Sequence, residues 1–133
     1  MKYLYAAAIL LTTSCMNECD PDLPLAPGSY AFVHRDAEFP SQPGFPVTVT
    51  IAGYHYKVAA QSPDKPGTVC EIDDSILMWN EKVRMWTLGH DESDRAATHA
   101  GGCQDDGPDT IDFEKRIIWT CVGEIMVSEA CGS

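Results

Sequence analysis

The sequence predicts a mainly β protein, a small antiparallel barrel or sandwich stabilised by disulfides and containing at most one short helix. Three observations support this fold class. Short runs of alternating apolar and polar side chains recur from residue 29 onward, Pro- and Gly-rich loops separate them, and six cysteines occur in only 133 residues. So many cysteines in a short chain are typical of an oxidising compartment, where paired thiols stabilise a small core.

The clearest strand signal lies in the first half of the chain. A first strand is predicted at residues 30–33, followed by a Pro/Gly-rich loop at 39–46. Residues 47–51 and 54–58 then alternate apolar and polar side chains on either side of Ala52-Gly53, which predicts a hairpin with a two-residue turn. The side chains expected to point inward are Val47, Val49, Ile51, Tyr54, Tyr56 and Val58.

The next segment allows two interpretations. A strand at 68–72, a turn at Asp73-Asp74-Ser75, and a hairpin of 76–79 with 83–88 describe it as β structure. A helix capped by Ser75 is an alternative, because the apolar side chains also recur at spacings of three and four. The last strands are predicted at 110–113 and at 117–127, the latter kinked at Gly123.

Aromatic and histidine residues on the predicted strands have a structural explanation. Trp79, Trp86, Tyr54 and Tyr56 would suit a ligand-stacking surface, but core or cross-strand packing is the favoured interpretation. For the single histidines on predicted strands, we expect exposed or hydrogen-bonded side chains. These are His34 and His55.

Residues 89–109 form a long polar stretch, and loops of this length are often functional. Imidazole and carboxylate groups are the usual ligands of zinc and related ions, so this stretch holds the weak metal candidates. A solvated acidic loop explains them equally well, since no established ligand spacing is present. The candidates are His90, Asp91, Asp94 and His99, with Glu92 between them.

The candidate partner-binding residues lie at the end of the same stretch and are Asp105, Asp106 and Asp109. They would attract a basic protein. The sequence shows no nucleophile elbow and no cysteine protease motif, so an enzyme is not the favoured reading, no catalytic residues are assigned and no cofactor is expected.

The charge balance argues against nucleic acid as a partner. The formal charge is −11, and removal of a segment containing Lys2 would leave 8 basic against 20 acidic residues, or −12. Phosphate binding needs Lys and Arg clustered on one face, whereas Lys115-Arg116 is the only adjacent basic pair.

Five cysteines are disulfide candidates: Cys19, Cys70, Cys103, Cys121 and Cys131. The last four permit three pairings that the sequence leaves open. We expect Cys103 to be tied to a strand, which would restrain the long acidic loop.

The N-terminus has the order of an export signal. Met1-Lys2 is positively charged, residues 3–11 are apolar, and Thr12-Thr13-Ser14 are small residues preceding Cys15. Nine apolar residues are too few to span a bilayer. The segment resembles the bacterial lipoprotein class, in which small residues precede a cysteine that is lipidated and becomes the mature N-terminus. Here Leu11 lies four residues before the cysteine, whereas the common pattern has Leu three before.

This resemblance implies a signal peptide at 1–14, lipidation of Cys15 and a location in the cell envelope, with delivery to the outer membrane facing the periplasm or the surface. The alternative is cleavage that leaves Cys15 as a plain N-terminus. Residues 15–28 contain three prolines and are expected to be an extended, solvated tether. Residues 29–133 would form a single β-rich domain. Lipidation would leave five thiols, so one would be free or bridge chains.

The expected function is therefore that of an acidic binding lipoprotein, attached to the membrane through its lipid, which engages or inhibits a basic protein such as a lysozyme, a toxin or a phage component. A structural lipoprotein of an envelope complex is the alternative. A small hydrolase or metal-binding protein is less favoured.

Overall fold

The structure, a computed structural model, describes residues 20–101, 103, 107–121 and 131. The predicted signal peptide, Cys15, Cys19 and the end of the last predicted strand lie outside these residues. Within them the chain forms seven strands and one short 3-10 helix at Glu92–Ala96. The strands are β1 Gly28–Asp36, β2 Phe45–Ala52, β3 His55–Gln61, β4 Val69–Asn80, β5 Met85–Gly89, β6 Asp109–Asp112 and β7 Ile117–Thr120.

The seven strands close into a barrel in sequence order. Each strand pairs antiparallel with the next, and β7 pairs parallel with β1 through partners such as Val33 and Ile117. Parallel closure is the geometric result of an odd number of strands, because the first and seventh run in the same direction. The mainly β prediction is confirmed, and the structure selects the barrel over the sandwich.

The β2–β3 hairpin fills much of the barrel core. Of its six predicted inward side chains, all except that of Tyr54 are at most 5% exposed. Tyr54 is half-buried and lies in the turn, because the turn residues are Gly53 and Tyr54 rather than Ala52 and Gly53. Gly53 has φ of 62°. A positive φ at the first central residue alone suits a type II′ turn, which favours glycine there.

Strand β4 runs unbroken through Asp73-Asp74-Ser75, so the predicted turn at these residues is wrong, as is the alternative helix. The strand pairs with β3 along its length and absorbs one extra residue in a bulge opposite Val58 and Ala59. The acidic pair is tolerated within a strand because Asp74 points to solvent while the carboxylate of Asp73 is hydrogen-bonded inside.

The alternating strand directions define two ends of the barrel. At the acidic end, β1, β3, β5 and β7 finish and the loops at 37–44, 62–68 and 90–108 connect the strands. At the aromatic end, the turns at 53–54, 81–84 and 113–116 connect them. Ring contacts at the aromatic end join Trp86 to Tyr54, Trp79 and Phe113 at centroid distances of 6.3, 5.7 and 6.1 Å. Core packing was the favoured explanation for Trp79, Trp86, Tyr54 and Tyr56. The structure shows it for Trp86 and Tyr56, while Tyr54 and Trp79 are partly buried and pack against the core.

Residues 20–27, expected to be a solvated part of the tether, instead lie against the barrel. Leu23 and Leu25 pack on the core. The Tyr54 hydroxyl donates to the carbonyl of Pro21 at 3.3 Å, and the Tyr30 hydroxyl donates to that of Ala26 at 2.6 Å. The three prolines that exclude a helix also leave these carbonyls unpaired locally, so they can accept from the tyrosines.

The long polar stretch crosses the outer face of β4 and β5. Met78, Asn80 and Thr87 are fully buried there, although their neighbours along the strands, such as Leu77 and Leu88, face the barrel interior. The side-chain amide of Asn80 donates to the carbonyl of Ala97 at 2.8 Å. In the part of the chain that the structure describes, no helix has the length and apolar character needed to cross a bilayer.

Two disulfides lie at the acidic end of the barrel. Cys70 pairs with Cys131, and Cys103 pairs with Cys121, the residue that follows β7. One of the three possible pairings of these four cysteines is thereby selected. The expectation that Cys103 is tied to a strand is met at the end of β7.

Removing the two disulfides should have unequal effects. They enclose 61 and 18 residues, and chain entropy assigns them about 4 and about 3 kcal/mol respectively. We therefore expect the Cys70→Ser/Cys131→Ser variant to lose more free energy of unfolding than Cys103→Ser/Cys121→Ser in urea titrations. Equal losses, or the reverse order, would contradict the loop-entropy account.

Candidate functional site

The barrel interior is polar near the acidic end. Directly opposed residues on paired strands share one face of the sheet. Asp73 opposes Val58, which is 1% exposed, and Asp109 opposes Leu88, which is 3% exposed. Both carboxylates therefore face inward, where three further polar side chains are buried: His34, Ser75 and Thr120.

Of the two inward carboxylates, that of Asp73 accepts hydrogen bonds at both of its oxygens. Its Oδ2 accepts from the Tyr56 hydroxyl at 2.5 Å, and its Oδ1 accepts from the Ser75 hydroxyl at 3.1 Å and from the Asp74 amide at 2.9 Å. Burial and the adjacent charge of Asp73 raise the pKa of Tyr56 well above its ordinary value. The phenol thus stays protonated and donates to the carboxylate at physiological pH.

Asp109 lies beside a pocket of about 260 Å³ at the acidic end. Burial raises its pKa to about 6, the charge of Asp73 raises the pKa further, and His90 opposes the rise. The pocket is lined by Leu88, His90, Asp94, Gly107, Pro108 and Asp109. Its described lining thus contains two carboxylates and no Lys or Arg. A perturbed carboxylate in a pocket is typical of a functional site.

The pocket wall depends on a close backbone approach. The amide of Gly101 donates to the carbonyl of Pro108 at 2.9 Å, which brings the two arms of the loop together. A Cβ at Gly107 would lie 2.1 Å from the carbonyl oxygen of His99, and φ of Gly107 is 86°. Only glycine fits this position.

The 3-10 helix positions Asp94 at the pocket. Asp91 is its N-cap and accepts from the Ser93 amide at 2.8 Å, while Asp94 accepts in return from the Asp91 amide at 3.4 Å and also from the His90 amide at 2.8 Å. This reciprocal capping box fixes the Asp94 carboxylate by local hydrogen bonds. The same bonds from Ser93 lower the pKa of the exposed Asp91.

His34 is buried deeper in the same end. Its Nε2 lies 3.1 Å from the Thr120 hydroxyl, and its ring stacks on Phe45 with centroids 4.8 Å apart. Burial lowers its pKa, although the charges of Asp73 and Asp36 act in the opposite direction. Nδ1 has no hydrogen-bond partner. Of the two histidines discussed from sequence, His55 is exposed and His34 is hydrogen-bonded.

The structure separates the weak metal candidates. His90 and Asp94 share the pocket, whereas Asp91 serves as a helix cap and the exposed His99 lies beside the Thr98 hydroxyl at 2.9 Å. Glu92 pairs with Arg95. Over residues 20–101, 103, 107–121 and 131, no three His, Cys, Asp or Glu side chains form a group that could hold a metal ion.

Of the three partner-binding candidates, Asp109 lies in the pocket, and Asp105 and Asp106 lie outside the described residues. Asp73 was not among the predicted site residues, because its position was expected to be a turn. A usable signal was present, because Asp73, Ser75, Leu77 and Trp79 alternate in phase along one continuous strand.

No protein-family model, curated protein or solved structure matches this chain. The site therefore has to be interpreted from its own chemistry.

The raised pKa of Asp109 has a measurable effect on stability. Between about pH 4 and 6 the folded protein retains a proton on Asp109 that the unfolded chain releases, so stability falls as the pH rises. Asp109→Asn removes this loss. Relative to wild type, the variant should gain on the order of 1–2 kcal/mol on going from pH 4 to pH 7, after allowance for partial exposure.

Urea titrations across this pH range measure the difference. Asp91→Asn is the matched control, since the pKa of Asp91 is lowered and its effect has the opposite sign. A stability difference between Asp109→Asn and wild type that does not change with pH would show that Asp109 is not buried as a charge.

The hydrogen bond from the Tyr56 hydroxyl should contribute more to the free energy of unfolding than an average surface hydrogen bond does. In Tyr56→Phe the ring remains in the core, but the inward carboxylate of Asp73 loses one of its three donors. We expect a loss of about 1–3 kcal/mol in free energy of unfolding at pH 7. Tyr30→Phe, whose hydroxyl bonds only a carbonyl at the exposed aromatic end, should lose less.

Proposed function

We propose that this protein is an acidic binding lipoprotein of the cell envelope, held by a lipid on Cys15, that engages a basic protein through the acidic end of its barrel. A Lys or Arg side chain of the partner enters the pocket beside Asp109. The observation that carries this proposal is the pocket itself, a cavity with two carboxylates and no basic residue in its described lining.

The electrostatics of the pocket favour a cation. Desolvation keeps Asp109 partly protonated near neutral pH, which is a cost that an incoming positive charge would relieve. The surrounding loop adds to the negative potential, since residues 89–109 contain six acidic residues and Arg95 as their only Lys or Arg. Such a field speeds association with a basic partner.

The dimensions of the pocket favour a single protruding side chain over a free small molecule. At about 260 Å³ it is smaller than the roughly 300–1,000 Å³ typical of small-molecule sites. Two large apolar side chains at the same end, Phe39 in the 37–44 loop and Val69 at the start of β4, are 50% and 64% exposed. Exposed apolar side chains at the same end as a charged pocket suit a protein surface.

These exposed apolar residues also support a second candidate function, assembly into an envelope complex. In that case apolar contact would supply most of the binding energy, and salt would have little effect. The alternative makes Phe39 and Val69 the principal contacts.

Substitutions at the two ends of β6 should distinguish binding in the acidic pocket from general charge attraction. Asp109→Asn and Asp112→Asn change the net charge equally, but only Asp109 lines the acidic pocket. With a c-type lysozyme as the basic probe, we expect Asp109→Asn to weaken binding about tenfold, as loss of a charged hydrogen bond does. Asp112→Asn should change the affinity less than twofold, because it removes only remote charge.

Calorimetric titration at several salt concentrations and pH values gives the readout. Wild-type affinity should fall with salt and rise from pH 5 to 7 as Asp109 ionises, and the pH dependence should disappear in Asp109→Asn. Equal effects of the two substitutions would mean general charge attraction. Binding that resists salt and is lost in Phe39→Ser would favour the assembly function instead.

A further inference from the structure

The aromatic end differs sharply in chemistry from the acidic end. All three tryptophans of the chain, Trp79, Trp86 and Trp119, line one groove of about 450 Å³. Met85 on the same groove is 48% exposed. Tryptophan with exposed apolar side chains is the composition that favours the boundary between water and lipid.

The charges around this groove are balanced rather than acidic. The turns at 81–84 and 113–116 carry four basic residues, Lys82, Arg84, Lys115 and Arg116, and two acidic ones, and Asp112 at the end of β6 also lines the groove. Two of the basic groups lie over aromatic rings, Arg84 at 5.7 Å from Trp79 and Arg116 at 5.2 Å from Tyr30. An anionic lipid surface would therefore repel the acidic end and accept this one.

The N-terminal segment emerges at the same end. Asp20 is 4% exposed and forms an ion pair with Arg95 at 2.5 Å, and Tyr54 in the β2–β3 turn bonds the next residue, Pro21. From Cys15 to Asp20 the chain spans five residues, so even fully extended it reaches at most about 18 Å. A lipid on Cys15 would therefore lie within about 18 Å of Asp20, the residue next to the Pro21 that Tyr54 binds at the aromatic end.

We propose that the aromatic end is a membrane-contacting face, which rests on the headgroup region of an anionic bilayer and directs the acidic end away from it. This deepens the proposed function, because it rests on lipid attachment at Cys15. The half-buried Trp79 and the exposed Met85 contact the lipid, while Lys82 and Lys115 meet anionic headgroups.

Trp79 and Trp86 make the test direct, since both report from this end. The full lipidated protein is reconstituted on vesicles of phosphatidylethanolamine and phosphatidylglycerol, and tryptophan emission is compared with and without brominated acyl chains. We expect a blue shift on binding and loss of emission with the brominated lipid. Flotation of the vesicles reports attachment independently of contact.

Two substitutions of matched exposure localise the contact. Met85→Glu alters a side chain that is 48% exposed at the aromatic end, and Phe39→Glu alters one that is 50% exposed at the acidic end. Both positions are on the surface, so both variants should fold. We expect Met85→Glu to lose most of the bromine quenching and Phe39→Glu to retain it.

The outcomes separate the two proposals. Protein that floats with the vesicles but shows no quenching overturns the membrane-contacting face and leaves the lipid attachment standing. Equal quenching in the two variants also overturns the face. Protein that does not float overturns the lipid attachment and the face together, whereas lysozyme binding in solution still tests the acidic pocket.

Discussion

The structure depends on the closure of β7 onto β1. Four residue pairs, from Val33 with Ile117 to Asp36 with Thr120, join the first and last strands. The Val33 amide also donates to the Arg116 carbonyl at 2.9 Å. Closure leaves no open sheet edge and gives every strand an interior face. It also separates the loops into two groups, and each group has a different chemistry. The disulfide between Cys103 and Cys121 reinforces this closure, because it ties the residue after β7 to the loop that precedes β6.

The interior that closure creates is apolar in one half and polar in the other. At the aromatic end, Trp86 packs edge to face on Trp79 and Phe113, and the indole N–H of Trp79 donates to Glu81 at 2.7 Å. At the acidic end, Asp73 is acceptable inside because three donors satisfy it, whereas Asp109 is held by burial at a pKa of about 6. Two inward carboxylates without a described basic partner cost stability. A positive charge, such as the proposed partner side chain would supply, reduces this cost.

Much of the fold was predictable because its signals are local. The β2–β3 hairpin follows from alternation and a glycine turn, and the burial of Val47 to Val58 at every second position follows from the same pattern. The residues of the site were harder to predict from the sequence. Asp73 and Asp74 are typical turn residues by propensity, and only the pairing of β4 with β3 and β5, together with the phenol of Tyr56, makes a strand there. The polar composition of residues 89–109 predicted the stretch that contains His90, Asp94 and Asp109. It did not predict that Asp91 caps the 3-10 helix, or that Asp109 occupies an inward strand position near Asp73.

The two ends of the barrel are linked through one loop. The acidic stretch begins at His90 in the pocket, crosses the outer face of β4 and β5, and binds Asp20 of the N-terminal segment through Arg95 before it returns to Asp109. The segment that would carry the lipid is therefore held by the same element that forms the pocket wall. The side chain of Asp20 is almost fully buried in this ion pair, and Arg95 directly follows Asp94 in the 3-10 helix. The acidic pocket and the described start of the N-terminal segment are thus parts of one arrangement, because consecutive residues of the same helix contact both.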